Sequence, residues 1–396
     1  AILTGVPLVP KHVFEKMDDV TTDVNKNPVT SGPFTLDEKD FTSQSYVFRA
    51  NPNYHEKGQP YIDGVRYTSY AGGTATQDAI IAGEIDWASN VFQDPEKQLK
   101  NAPVDYLTMP SSAQVLVTCS NAELGCTGPQ TDVAVRKAIY YGMDRAQLNK
   151  LAFYGIFYDS SSSLTPTPEN EEYLSPDVPE STVPEEANVE KAKQLLEDAG
   201  YTMGSDGIYQ KDGVRLSFEV PAISGWTESI NGVDAAGQQL KKVGIEMKVK
   251  QVSANEMTEL YSKGDFQIIT ENMWYSGSEP YDFYNTFYAS DQTAKVGEKG
   301  ANGWARYSNK TVDDALDVIN STTDTNVKKE QYAIIQQQVY DDMPYIPMMR
   351  TATMVETSKE YTGWVTKDNV YAAPASWNTW DTGIILRQIK PVTDNK

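Results

Sequence analysis

Residues 226–272 read WTESINGVDAAGQQLKKVGIEMKVKQVSANEMTELYSKGDFQIITEN, and their punctuation points to the class of fold. Trp226–Val243 has the apolar spacing of an amphipathic helix, and Ile245–Val252 alternates as a strand does. Asn255–Lys263 returns to the helical period, and Phe266–Asn272 is an apolar strand. Helix, strand, helix, strand in 47 residues is the pattern of an α/β lobe.

The alternation continues on both sides. Asn188–Ala199 (NVEKAKQLLEDA) predicts a helix with an Asn cap, apolar Val189, Ala192, Leu195, Leu196 and Ala199, and Gly200 to end it. Thr131 or Asp132 can cap a helix through Tyr141, and Asp144 can cap the next. Upstream, Tyr46–Asn51 and Val65–Tyr70 have strand composition, and Thr74–Ala82 is helical with Gly83 as its stop. Short strands follow at Ile85–Ala88, around Val104–Met109 and at Ala113–Cys119. Downstream, Val312–Ile319 and Val327–Asp341 complete the helices. Five prolines and a scatter of carboxylates mark 164–184 as a surface excursion rather than a linker, because the pattern resumes at Asn188.

At 396 residues the chain has room for two or three domains of roughly 150 residues. Its apolar runs fall far short of the ~20 residues that cross a bilayer. Its formal charge is −21 and it shows no run of lysines or arginines, which excludes a nucleic-acid binder. The acidity reads as a solvated surface that keeps the protein soluble. Two histidines, His12 and His55, with no HExxH or CxxC pair and no EF-hand spacing, give no expectation of a cofactor or metal. Ala1–Pro10 has no basic leader and no lipobox cysteine follows it. Cys119 and Cys126 flank six residues that include Gly125, a spacing that can satisfy disulfide geometry; the alternative is two free thiols in a reducing cell. A disulfide here places the protein outside the cytoplasm.

Several segments together carry a family likeness. Asn27-Pro28-Val29-Thr30-Ser31-Gly32-Pro33-Phe34-Thr35-Leu36 resembles the N-P-V-G-T-G-P-[FY]-x-[LV] segment of the extracytoplasmic solute-binding proteins of ABC importers, family 5. In the same order come Leu8–His12, Asn51–Tyr54, Gly83–Asp86, Val135–Ile139 with Asp144-Arg145, Lys191–Leu196 with Ala199–Tyr201, and Asp342–Pro347. Each is weak alone; their common order over about 340 residues is the signal. Arg136 and Asp144 are read as opposite charges near adjoining helix ends. The resemblance implies a two-lobed periplasmic-binding-protein-like α/β fold of class II, in the large cluster with an extra domain, here without its N-terminal segment. It divides the chain into 1–27 (end of a small domain and connector), 28–111 (lobe I), 112–365 (lobe II) and 366–396 (return to lobe I). It implies a monomer, held outside the cell by a lipid anchor in the full-length protein, that hands its ligand to membrane permease subunits.

The resemblance also places the ligand between hinged lobes, with contacts from one segment after a lobe II strand. That segment is here Glu271–Tyr284. Peptide-binding members carry an aspartate four positions before the proline of the Asp/Glu-Pro pair, to receive the peptide ammonium; this chain has Ser276. A buried ammonium without a counter-charge costs several kcal/mol, although Glu279 or Asp282 can substitute. Seven of the 17 residues Asn272–Tyr288 are aromatic, and Thr362–Ala372 resembles the G-W-P-T-x-[ED]-[ND]-P-Y-A segment of oligosaccharide-binding members, departing from it at Val365 and Val370. An aromatic ring laid on the C–H face of a pyranose supplies apolar contact at little entropic cost. The expected ligand residues are therefore Trp274, Tyr275, Trp226 and Trp364 for stacking, Asn272 and Glu279 for hydroxyls, with Ser276 and Tyr281 beside them; Phe283, Phe287 and Tyr288 are expected in the core.

The leading expectation is an oligosaccharide-binding transport component, with an oligopeptide as the alternative ligand. A third reading takes Glu271, Glu279 and Asp282 as the acid and nucleophile of a glycoside hydrolase. The nickel or haem cargo of the wider family does not suit a chain with two histidines.

Overall fold

The structure is a computed structural model that describes residues 8–20, 22–23, 27–275, 277–378 and 380–392. The chain forms two compact units, one from Ala1–Met109 with Thr353–Lys396 and the other from Pro110–Ala352.

In the first unit Phe34–Phe41, Ser45–Ala50 and Gly64–Thr68 make an antiparallel sheet in that order. Tyr46 and Tyr67, opposite one another in the register, stack with ring centres 5.1 Å apart. Helix Gly73–Ala82 stops at Gly83, whose φ of +74° belongs to glycine and whose missing Cβ leaves room for Pro103. Ile80, Phe92, Leu99, Val104 and Met354 form one buried core, and Val365, Ile385, Leu386 and Ile389 a second.

The second unit is organised by the stretch that opened the reading. Ser217–Ile223 and Glu246–Val252 pair in parallel, Ser217 opposite Glu246 and Ile223 opposite Val252. Parallel neighbours need a crossover, and helix Thr227–Val243 supplies it. The helix lies so close to the second strand that a Cβ on Gly237 would run into the Met247 carbonyl. Val233, Leu240 and Val243 bury against Val220 and Met247, each such side chain worth roughly 1.5–3 kcal/mol. A separate core on the other face of the unit is aromatic: Phe283, Tyr284, Phe287, Tyr288, Trp304, Tyr332 and Tyr345.

The expected short strands around 104–119 are in fact one, Val104–Thr118. Pro110 lies within it, since the ring's fixed φ suits extended backbone and costs only one donor. Its second half pairs antiparallel with Ile268–Met273, Thr118 opposite Ile268 and Ala113 opposite Met273. Tyr345–Ser358 is also a single strand, and Glu356 and Thr357 at its end pair with Ala88 and Trp87. The chain therefore rejoins the first unit at Thr353, ahead of the expected 366.

Asp132, rather than Thr131, caps helix Val133–Gly142. Asp144 and Asn188 cap their helices through the N–H groups of Gln147 and Lys191. Arg136 does not meet Asp144. Its fork of donors instead takes the carbonyls of Asp342, Gln130 and Thr131, while the Asp144 carboxylate is spent on its own helix. Cys119 and Cys126 are joined as a disulfide, with Cα atoms 5.4 Å apart.

Candidate functional site

Strand Ile268–Met273 delivers the candidate segment. Side chains alternate across a strand, so Ile268 enters the aliphatic core while Ile269 and Met273 enter the aromatic one. Glu271 is buried, and burial pushes its carboxyl up to about 7. One of its oxygens accepts the Asn272 N–H at 2.9 Å. The side-chain oxygen of Asn272 is buried with no partner among the described residues.

Beyond the strand, Trp274 leaves 42% of its surface exposed. The rest of its ring is wedged edge-on against Phe287 and Trp304, at 4.8 and 5.6 Å between centres. One indole face is thus anchored in the aromatic core while part of the ring stays wet. Tyr275 turns inward: its ring lies against Phe283 at 4.8 Å and its hydroxyl donates to the Leu164 carbonyl at 3.3 Å. Burial raises its phenol above the ordinary range.

The Pro-rich excursion is stitched to this segment. Thr165 and Ser163 meet the Tyr284 hydroxyl, Asn170 donates to the Ser278 carbonyl at 3.1 Å, and Gln336 holds Tyr173 and Ser175. A cleft of about 290 Å³ lies beside the excursion, lined by Tyr158, Asp159, Ser161, Thr167, Glu171 and Thr182 among others. Arg350 ties the two together. Its guanidinium lies 4.9 Å from the Tyr275 ring centre and holds Glu169 through two bonds.

Of the other expected residues, Glu279 is ion-paired: both its oxygens accept from Lys328, at 2.8 and 2.9 Å, with the Tyr332 hydroxyl at 3.4 Å. Glu271, by contrast, is buried and meets no cation among the described residues. Tyr281 opens helix Tyr281–Tyr288, half-buried, and Phe283, Phe287 and Tyr288 lie in the core as expected. Trp226 stands at the start of helix Thr227–Val243 and is 43% exposed. Trp364 belongs to the first unit, where its indole N–H donates to the Ser358 carbonyl at 2.9 Å and its ring packs near Trp87 and Tyr361. Ser276 lies outside the described residues. The structure thus brings Asn272, Trp274, Tyr275, Glu279 and Tyr281 onto one segment and leaves Trp226 and Trp364 elsewhere in the chain.

Sequence reasoning passed over Glu169, Arg350 and Lys328, whose pairings decide the charge of the site. They lie 181 residues apart in one pair and 49 in the other, and no local pattern links such partners. Among the described residues no group of three or more His, Cys, Asp or Glu side chains is placed to hold a metal ion, and no helix is long and apolar enough to cross a membrane.

The sequence pattern of the bacterial extracellular solute-binding proteins, family 5 (middle), matches residues 1–295. The oligopeptide-binding protein AppA of Bacillus subtilis is 28% identical over 355 residues, 87% of this chain and 61% of that protein. The chain therefore spans about three-fifths of the length of that curated relative. Two crystal structures of a periplasmic oligopeptide-binding protein of an oligopeptide ABC transporter from Thermotoga maritima share the fold. One superposes with a TM-score of 0.87 at 21% identity, covering 98% of this chain and 75% of that one. The other, bound to mannohexaose, gives 0.83 at 22% identity over 98% and 74%.

Proposed function

Because the chain belongs to the bacterial extracellular solute-binding proteins of family 5, we propose that it is the ligand-capturing component of an ABC importer and that its ligand is an uncharged oligosaccharide. The observation that carries the choice of ligand is the charge balance around Trp274. Two cations that touch this segment, Lys328 and Arg350, are each closed on a carboxylate, Glu279 and Glu169. A zwitterionic peptide needs a carboxylate for its ammonium and a cation for its carboxylate, each bond strengthened where water is excluded. Here Lys328, Arg350, Glu279 and Glu169 are already spent on one another, and Asp282 is the carboxylate left over. A partly exposed indole anchored at its edge suits the apolar face of a sugar ring.

In this reading the protein works as a monomer outside the cytoplasmic membrane, lipid-anchored in its full-length form, and passes the glycan unchanged to permease subunits. An oligopeptide is the second reading. The Bacillus relative's name favours it, and Asp282 makes no ion pair among the described residues, which leaves one carboxylate for an ammonium group. Titration calorimetry against cello-oligosaccharides, mannohexaose and di- to pentapeptides separates the two. Tight peptide binding with no heat from any glycan overturns the sugar reading.

A further inference from the structure

The cleft of about 290 Å³ beside the Pro-rich excursion has no part in the reading above. Its volume stands at the lower end of the roughly 300–1,000 Å³ usual for small-molecule pockets, which suits a solute of one or two rings. All its lining residues lie between Pro110 and Thr182, so one continuous stretch of the second unit builds it.

The cleft is fixed through its backbone. Ser161 bridges to Thr182, and the Val183 N–H donates to the Ser160 carbonyl at 2.9 Å. The turn that carries Glu171 closes through its N–H on the Pro168 carbonyl at 3.2 Å, and Gln336 holds the Tyr173 carbonyl at 2.7 Å. The Tyr158 N–H donates to the Arg350 carbonyl at 2.9 Å, and the Arg350 guanidinium lies against Tyr275. The cleft is thereby tied to the segment that bears Trp274, and little of it has to be ordered when a solute enters.

Its side chains, by contrast, are unspent. The hydroxyls of Tyr158, Thr167, Ser181 and Thr182 and the carboxylates of Asp159 and Glu171 make no hydrogen bond or ion pair among the described residues. No lysine, arginine or histidine lines the cleft among those residues, so an anion or a peptide carboxylate finds no partner there. Asp159 and Glu171 are exposed, and carboxylates this wet return little to an ammonium group that must shed its own water. A neutral polyol is the better match. Carboxylates accept its hydroxyls through charge-assisted bonds, the four hydroxyls of the cleft donate or accept as needed, and half-buried Leu174 offers apolar surface to a ring. Resting on the oligosaccharide reading, we propose that this cleft is a second sugar subsite of the second unit, one that takes a neutral pyranose by its hydroxyls on Asp159, Glu171, Thr167 and Thr182.

The test uses the 396-residue chain, with mannohexaose and cellohexaose as neutral probes and glucosamine and spermidine as cationic ones. In the wild type the glycan that binds is expected to move the methyl resonances of Leu174, assigned through Leu174→Met. An Asp159→Asn/Glu171→Gln double variant is expected to weaken calorimetric affinity for that glycan by at least tenfold at an unchanged melting temperature, because both carboxylates are exposed. Glu172→Gln removes a neighbouring charge that pairs with Lys329 and does not line the cleft, and is expected to stay within twofold of wild type. A double variant within twofold of wild type, or a glycan that binds and leaves Leu174 unmoved, overturns the subsite and leaves the sugar reading standing. Leu174 shifts from glucosamine or spermidine alone make the cleft a cation site and overturn it as well. A wild-type chain that binds peptides and neither glycan sinks the subsite and the sugar reading together.

Discussion

Arg350 holds Glu169 by both terminal nitrogens, at 2.6 and 2.9 Å, and spends its remaining Nε–H on the Ser111 carbonyl at 3.0 Å. The guanidinium side chain is 4% exposed and the carboxylate 53%. The pair therefore matters more to the buried partner than to the wet one. Glu169→Gln leaves a buried cation short of its counter-charge; full burial would make this cost several kcal/mol, and the exposure of Glu169 discounts it to about 1–2 kcal/mol. Urea unfolding is expected to show the midpoint falling at constant m-value. An unchanged midpoint would mean that the pair contributes nothing.

Lys328 neutralises Glu279, which follows Trp274 by five residues in the same segment. Lys328→Met keeps much of the aliphatic bulk and releases the carboxylate. The variant is expected to gain affinity for dipeptides with a free ammonium group by about tenfold, ~1.4 kcal/mol, while glycan affinity moves by less than twofold. Calorimetry in which both ligand classes respond alike argues against charge as the selector.

Glu356 is buried in the first unit with one oxygen accepting the Asn90 N–H at 3.1 Å and the other unpartnered among the described residues. Burial pushes its carboxyl up to about 8, from an ordinary 4.5. A raised acid is held neutral by the fold. The unfolded chain then loses its proton first, so stability is greatest below the unfolded value and falls as pH rises towards 8. Glu271, raised to about 7 by the same cause, adds to the fall over the lower part of this window. Glu356→Gln is expected to flatten the loss between pH 5 and 8 by about 2–4 kcal/mol. Melting temperatures across that range are the check, and an equal slope in both proteins counts against a buried neutral carboxyl.

Gly237 is the contact point between the crossover helix and the strand Glu246–Val252. Gly237→Ala raises helix propensity by about 1 kcal/mol but drives a methyl into backbone that has no side chain to give way. Overpacking is expected to win by about 1–3 kcal/mol net. A stabilised variant in chemical denaturation would show that the helix can lift off the strand at little cost.

Much of the architecture is legible because it is local. The helix Thr227–Val243 and the strands beside it announce themselves through apolar period, and Asp144, Asn188 and Gly83 mark element ends by chemistry that acts within four residues. Strand Val104–Thr118 reads as two pieces because Pro110-Ser111-Ser112 has turn-forming residue types, yet the backbone runs straight through them. The site is less legible. A tryptophan reads the same in sequence whether it packs near Trp87, as Trp364 does, or stands in water, as Trp377 does. Likewise Glu279 looks like a free ligand group until the helix Thr325–Asp342 brings Lys328 to it.

The second unit is one uninterrupted stretch of chain, set between the two pieces that make the first. During synthesis all of Pro110–Ala352 is made before the strand partners of Trp87–Ala88, Glu356 and Thr357, and the core residues Ile385, Leu386 and Ile389 exist. The first unit must wait, half-assembled, for its closing segment, whereas the inserted one has every residue it needs before that segment is made. Loss of 353–396 therefore leaves one body with all its residues and one without its closing segment, and the open one is where chaperones and proteases find their grip.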